Sequence, residues 1–257
     1  MTETCRVVQS RNPGQQVTNY LVSTSRAKVW RRPEDHPLLK HTDTAHPALR
    51  GKLEEDTFPP RVAEGLPKIL SENSEDARTW YYFSPLLNDE PQRTRVLTLL
   101  LRQSFAYALP PQAFKEIPHA RLEFWPKLPP PPSRLHREGE SEPDLLIKLG
   151  ESAVVLVEAK CLSGVSEFTT YDRKRDQVIR LLDVGSWYAR QEGYDCSCLL
   201  VLQYGHVQTN AEKIINRYAG NPEAIRKALP YREELSDDDF AHLSRGLAFV
   251  RWPDPMG

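Results

Sequence analysis

The sequence predicts an α/β fold, a central mixed sheet flanked by helices and preceded by an N-terminal extension. Three observations carry this expectation. Two short apolar runs, 144–149 and 153–160, meet at Gly150 as an antiparallel pair. Within the second, Val154-Val155-Leu156-Val157 is apolar at every position, so both faces are covered, as in a sheet interior. A long amphipathic stretch then leads to another buried run, Cys198-Leu199-Leu200-Val201-Leu202; a right-handed helical crossover would set it parallel to the first in the same sheet.

Residues 1–70 are the extension, expected to serve a protein partner or a homodimer contact. Val17-Thr18-Asn19-Tyr20-Leu21-Val22 and Ala27-Lys28-Val29-Trp30 have the character of short strands. From 31 to 60 the chain is polar, with scattered prolines and no period, and His36, His41 and His46 are expected to be solvated loop histidines. Residues 71–257 are expected to form the main domain. Ser74 can cap a helix whose first-turn acids, Glu75 and Asp76, suit the positive end of its dipole, and Pro85 stops it. A second helix spans 92–108, with Leu97, Leu100, Leu101, Ser104 and Ala108 inward. Residues 120–125 alternate as a half-buried strand. The proline-rich segment 126–141 suits neither helix nor interior strand and is expected to be a flexible linker, with Arg134, His136 and Arg137 close before the next strand. A helix over 170–189 follows the hairpin, its core stripe Val178, Leu181, Leu182 and Gly185, its neighbouring stripe Arg173, Gln177 and Arg180. A buried strand at 198–204, one or two helices and a last strand at 247–252 complete the chain.

Composition bounds the function. The chain has 257 residues, 39% hydrophobic and 27% charged, enough for a core and a wetted surface. Its net charge of −1 provides no global basic field, so any nucleic-acid surface must be local. The cysteines, Cys5, Cys161, Cys196 and Cys198, are too few and too badly spaced for a disulfide framework or a four-cysteine zinc site, and Cys196 and Cys198 read as small core residues. No apolar run approaches bilayer length and no N-terminal signal region is seen, so a soluble, cytoplasmic protein without a membrane partner is expected.

The chemistry concentrates around the hairpin. With Gly150-Glu151-Ser152 as its loop, Leu149 pairs with Ala153 and Asp144 lies opposite Glu158, roughly 5 Å away. Glu158 and Lys160, two apart, project from one face. Carboxylates at the end of a buried strand need a compensating cation, and hard oxygen donors at an opening suit Mg²⁺ or Mn²⁺. Lys160 is then placed to hold a water or to stabilise charge on a phosphate.

Pro143-Asp144 followed by Glu158-Ala159-Lys160 resembles the signature of the PD-(D/E)XK superfamily, the restriction-endonuclease-like nucleases. Ser74-Glu75-Asp76-Ala77 before an aromatic run looks like that family's first helix, and Asp176-Gln177-Val178-Ile179-Arg180 looks like the helix after its E-x-K strand. The resemblance covers about half the chain. It implies a restriction-endonuclease-like αβββαβ core, matched here with one extra helix. It also implies Asp144, Glu158, the backbone carbonyl of Ala159 and Glu75 as ligands of Mg²⁺ or Mn²⁺. Lys160 would assist hydrolysis, Gln177 would face the site, and Arg173 and Arg180 would position the substrate strand. The implied activity is phosphodiester hydrolysis in nucleic acid, DNA favoured over RNA, in a phage-defence, restriction or repair setting. Two alternatives stay open: a non-cutting nucleic-acid-binding or scaffold subunit of nuclease-like fold, and a nuclease subunit active only within a complex.

Overall fold

The computed structural model describes residues 6–7, 20–22, 27–55, 57–58, 65–134, 138–169, 172 and 175–256. The chain divides into two compact units, residues 1–84 with 253–257, and residues 85–252.

In the first unit, β1 (Arg6–Val7), β2 (Tyr20–Val22) and β3 (Lys28–Trp30) form an antiparallel sheet in that order. Residues 17–19 of the expected first strand lie outside the described residues. The polar stretch after β3 is more ordered than its pattern implies. It buries Leu38 and Leu39 and contains α1 (Pro47–Glu55), whose only buried side chain is Leu49. A helix with one inward residue leaves almost no periodic signal. α2 (Glu75–Phe83) starts as expected, the Ser74 hydroxyl accepting from the Ala77 N–H at 3.0 Å, and it buries Ala77, Trp80 and Phe83. Arg78 donates to both carboxylate oxygens of Asp254, at 2.9 and 3.1 Å, which fastens residues 253–256 to this unit.

The expectation of a solvated His36 is overturned: the side chain is fully buried. Its Nδ1 accepts from the Leu38 N–H at 3.1 Å, its Nε2 lies 3.3 Å from the Ser71 carbonyl, and its ring meets Trp30 edge-on. A second proton on Nδ1 would break the Leu38 bond and bury a charge. Burial therefore pulls the His36 pKa down from 6.5 to about 4, the Ser71 carbonyl opposing and the charge on Arg78 assisting. Because the folded value is the lower one, this contribution to stability is complete above the unfolded value, near pH 6.5, and is lost as pH falls towards 4. The loss expected by pH 4 is about 3 kcal/mol. Urea melts at pH 7 and pH 4 should show a drop larger by about that amount in wild type than in His36→Asn, an isostere that does not titrate. Equal drops in the two proteins would clear His36 of the effect.

In the second unit, α3 (Glu90–Phe105) is capped by Asp89, whose carboxylate accepts from the Gln92 N–H at 2.8 Å, and it buries Leu97, Leu100, Leu101 and Phe105. It ends at Phe105, and the short α4 (Pro111–Lys115) follows. Next come β4 (Arg121–Phe124), β5 (Leu145–Leu149), β6 (Ala153–Lys160), α5 (Gln177–Glu192) and β7 (Cys196–Tyr204). α6 (Ala211–Tyr218), α7 (Pro222–Ala228), α8 (Asp237–Arg245) and β8 (Leu247–Trp252) complete the unit. This is an α/β fold with a five-stranded mixed sheet in the order β4-β5-β6-β7-β8. β4-β5 and β5-β6 are antiparallel, β6-β7 and β7-β8 parallel. Leu149 pairs with Ala153 as expected, and Gly150 turns the hairpin with φ 57°, a conformation that glycine adopts without steric cost.

β6 is buried along its whole length and lies at the centre of the sheet. Leu146, Val154, Leu156, Leu199, Val201 and Leu247 face a core shared with residues of α5 to α8. Alternation then places Asp144, Glu158, Lys160, Gln203 and Arg251 on that same face, at the edge where the parallel strands end. α5 packs closely here: a Cβ on Gly185 would come within 2.9 Å of Leu156.

Two further expectations are corrected. α5 begins at Gln177 rather than near 170, because the Asp176 carboxylate caps it by accepting from the Ile179 N–H at 2.9 Å. Just before the cap the chain closes on itself, Thr169 N–H donating to the Arg175 carbonyl at 2.7 Å. The described residues of segment 126–141 are tied down rather than a free linker. Leu128 and Ser141 exchange both backbone hydrogen bonds at 2.8 Å, and Arg134 and Glu138 are buried. His136, Arg137 and Arg173 lie outside the described residues. Cys161, Cys196 and Cys198 are buried free thiols, and Cys5 is not among the described residues. No helix of the described residues is long and apolar enough to cross a membrane.

Candidate functional site

The hairpin and its parallel neighbour assemble most of the expected site. The β5-β6 register runs to Leu145 opposite Val157, so the next position outward sets Asp144 against Glu158. Asp144 is held from two sides. Its carbonyl accepts from the Trp125 N–H at 3.3 Å, and its Oδ2 accepts from the Ala159 N–H at 2.6 Å. Along a strand, successive residues turn their backbone groups to opposite neighbours. The Lys160 carbonyl receives the Gln203 amide from the β7 side, so the Ala159 carbonyl turns with its N–H towards Asp144.

Glu158 and Lys160 are both nearly inaccessible, their side chains 6% and 9% exposed, and they pair at 2.7 Å. The same Glu158 oxygen, Oε1, also accepts from Gln177 Nε2 at 2.6 Å. Gln177 is itself fixed: its Oε1 accepts from the Ser166 N–H at 3.2 Å, and its N–H donates to the Ser166 carbonyl at 2.9 Å. As the first residue of α5, it owes this position to the Asp176 cap. Two carboxylates and one ammonium thus meet at a strand edge that is mostly shielded from water. Carboxylate oxygens gathered at such an edge are hard donors of the kind that suit a divalent cation.

The other expected residues stand as follows. Glu75 is the first residue of α2 and belongs to the first unit, whereas Asp144, Glu158, Lys160 and Gln177 belong to the second. Arg180 is engaged in structure, donating to the carbonyls of Gly139 and Glu140 at 2.9 Å each. It holds the segment that leads into Asp144. Among the described residues, no three His, Cys, Asp or Glu side chains gather into a group able to hold a metal ion.

Some residues that shape the site escaped the sequence reading. Gln203, fully buried on β7, donates to the carbonyls of Lys160 and Cys161, and its Oε1 accepts from the Thr209 hydroxyl at 2.9 Å. It closes the end of β6 against β7, and a lone amide after an apolar run was its signal. Glu138, Arg175 and Asp183 are buried, and Arg175 bridges the two acids, with N···O distances of 2.7 Å to Glu138 and 2.8 Å to Asp183. Their pairing spans distant segments and leaves no local pattern.

No protein-family model matches this chain, and no curated protein or solved structure matches it.

Proposed function

We propose that this protein is a metal-dependent nuclease of the PD-(D/E)XK type, hydrolysing phosphodiester bonds in nucleic acid, with DNA the favoured substrate. One observation carries the reading: Glu158 is buried with Lys160 and Gln177 on one carboxylate oxygen, beside an Asp144 oriented by the Ala159 N–H. The order of helices and strands from α3 to β7 supports a restriction-endonuclease-like core.

The donor set suits the implied ion. Mg²⁺ commonly takes one or two carboxylates and completes its octahedron with water and substrate phosphate. Asp144, Glu158 and the Ala159 carbonyl would hold it. Bound there, Mg²⁺ or Mn²⁺ lowers the pKa of a water and offsets charge on the scissile phosphate. The protein's own share is positional. The Ala159 N–H fixes the Asp144 carboxylate, Gln177 fixes that of Glu158, and the Lys160 ammonium, paired with Glu158, would stabilise a phosphate oxygen or the attacking water. A restriction, phage-defence or repair setting belongs to the same proposal.

The direct pairing of Lys160 with Glu158 supports a second reading, a nuclease-like module that binds nucleic acid or a partner without cutting. A cleavage panel separates the two. Plasmid, linear duplex, single-stranded DNA and RNA are incubated with Mg²⁺, Mn²⁺ or EDTA, using wild type and Asp144→Ala. Cutting that needs metal and falls at least a hundredfold in Asp144→Ala is the expected outcome. No cutting of any substrate, together with no calorimetric Mg²⁺ or Mn²⁺ binding, would leave the non-cutting module.

A further inference from the structure

Beside the candidate site, at the ends of β7 and β8, lies an open groove of about 680 Å³. Its floor includes Thr209 and Arg251, and its wall is the outer face of α6, with Lys213, Asn216 and Arg217. These three are exposed at helical spacings of three and four, so they form one stripe. The register links this groove to the site. Lys160 pairs with Gln203, and Gln203 pairs with Arg251, a single row across three parallel strands on one face of the sheet. Two interstrand steps put the Lys160 and Arg251 backbones about 10 Å apart, the length of about three stacked nucleotides. The link is also bonded, since Gln203 holds the Lys160 carbonyl on one side and the Thr209 hydroxyl on the other.

The lining is cationic: Lys213, Arg217 and Arg251 against Glu212. Arg251 pairs with Glu212 at 3.0 Å with both side chains exposed, and Arg217, about half exposed, lies 3.6 Å from the buried Asp176 carboxylate. The Arg251–Glu212 pair, in water, is weak and exchanges readily for a phosphate, and the exposed part of the Arg217 guanidinium offers a phosphate further donors. The chain as a whole carries a net charge of −1, so a local concentration of cations beside the candidate site is notable.

We propose that this groove carries the sugar–phosphate backbone of one nucleic-acid strand away from the Asp144, Glu158 and Lys160 site. Lys213 and Arg217 take neighbouring phosphates, and Asn216 bonds between them. The proposal rests on the nuclease reading. A fluorescent oligothymidylate is titrated by anisotropy with Ca²⁺ in place of Mg²⁺, against wild type, Lys213→Glu/Arg217→Glu and the charge-keeping Lys213→Arg/Arg217→Lys. Thermal melts accompany each protein to show that it is folded. The charge-reversed protein should bind at least tenfold more weakly, and its log K against log salt should be shallower by about 1.4. The charge-keeping protein should stay within about threefold of wild type. Wild-type binding that the reversal leaves unchanged would overturn the groove and spare the nuclease reading. Groove-dependent binding displaced equally well by polyglutamate would overturn nucleic acid as the occupant. Loss of the nuclease reading shows separately, as absence of metal-dependent cutting in a wild type whose oligonucleotide binding still depends on Lys213 and Arg217.

Discussion

Lys160→Ala is expected to lower the rate of metal-dependent cleavage about a thousandfold, counted per folded molecule. The magnitude follows from where the ammonium sits. It is 9% exposed and 2.7 Å from Glu158, so its charge acts in a setting where water screens little. A preorganised charge of this kind, aimed at a phosphate, costs nothing to reorganise during reaction. The same substitution takes from the buried Glu158 the ammonium paired with its Oε1, where the Gln177 amide remains. A stability loss of about 3 kcal/mol should therefore accompany the kinetic one. The two are separated by measuring single-turnover rates at a temperature where melts show both proteins folded. Lys160→Arg should recover the stability better than the rate, because a planar fork does not place its charge where a compact ammonium does. Near-normal cleavage by folded Lys160→Ala would remove Lys160 from the mechanism, whatever happens to stability.

The parts of this fold that were legible in the sequence are those where burial on both faces leaves few options. β6 is apolar at successive positions, so it had to be interior, and Gly150 fixed the hairpin register that sets Asp144 against Glu158. β7 followed as its parallel neighbour for the same reason. Legibility failed where order comes from few or distant contacts. α1 and His36 belong to a small unit whose inward residues, such as Leu38, Leu39 and Leu49, are too sparse to make a period. The start of α5 was misplaced because Arg173, Gln177 and Arg180 keep a helical spacing, while the deciding signal was the single cap at Asp176. Within the site, Gln177 was legible from its place after the E-x-K strand, and the structure binds it to Glu158. Arg180 had the same spacing but reaches the Gly139 and Glu140 carbonyls instead. Spacing selects the face of a helix, not the partner that the face meets.

The largest stability effect should come from a residue outside the chemistry. Asp183→Ala is expected to cost about 3–5 kcal/mol, about 10 °C in melting temperature for a unit of this size. Asp183 is fully buried in the middle of α5. Its Oδ2 accepts from Arg175 Nη2 and from the Tyr231 hydroxyl, each at 2.8 Å, and its Oδ1 pairs with Arg232. Arg175 also meets Glu138, which Arg134 holds through the same oxygen at 2.8 Å. Removing the aspartate leaves two buried guanidinium groups short of a counter-charge, a much greater penalty than the net worth of the pairs. The loss should not be additive: with Arg175→Met already in place, Asp183→Ala should cost markedly less, since one stranded charge is gone. The effect should also reach the site. Arg175 lies just before the Asp176 cap and Gln177, so loosening it frees the first turn of α5 and with it the bond from Gln177 to Glu158. Hydrogen exchange at the Ile179 amide, which the cap protects, should quicken in Asp183→Ala well before global unfolding. A loss below about 1 kcal/mol with unchanged exchange would mean that the cap and the apolar stripe hold α5 without the network.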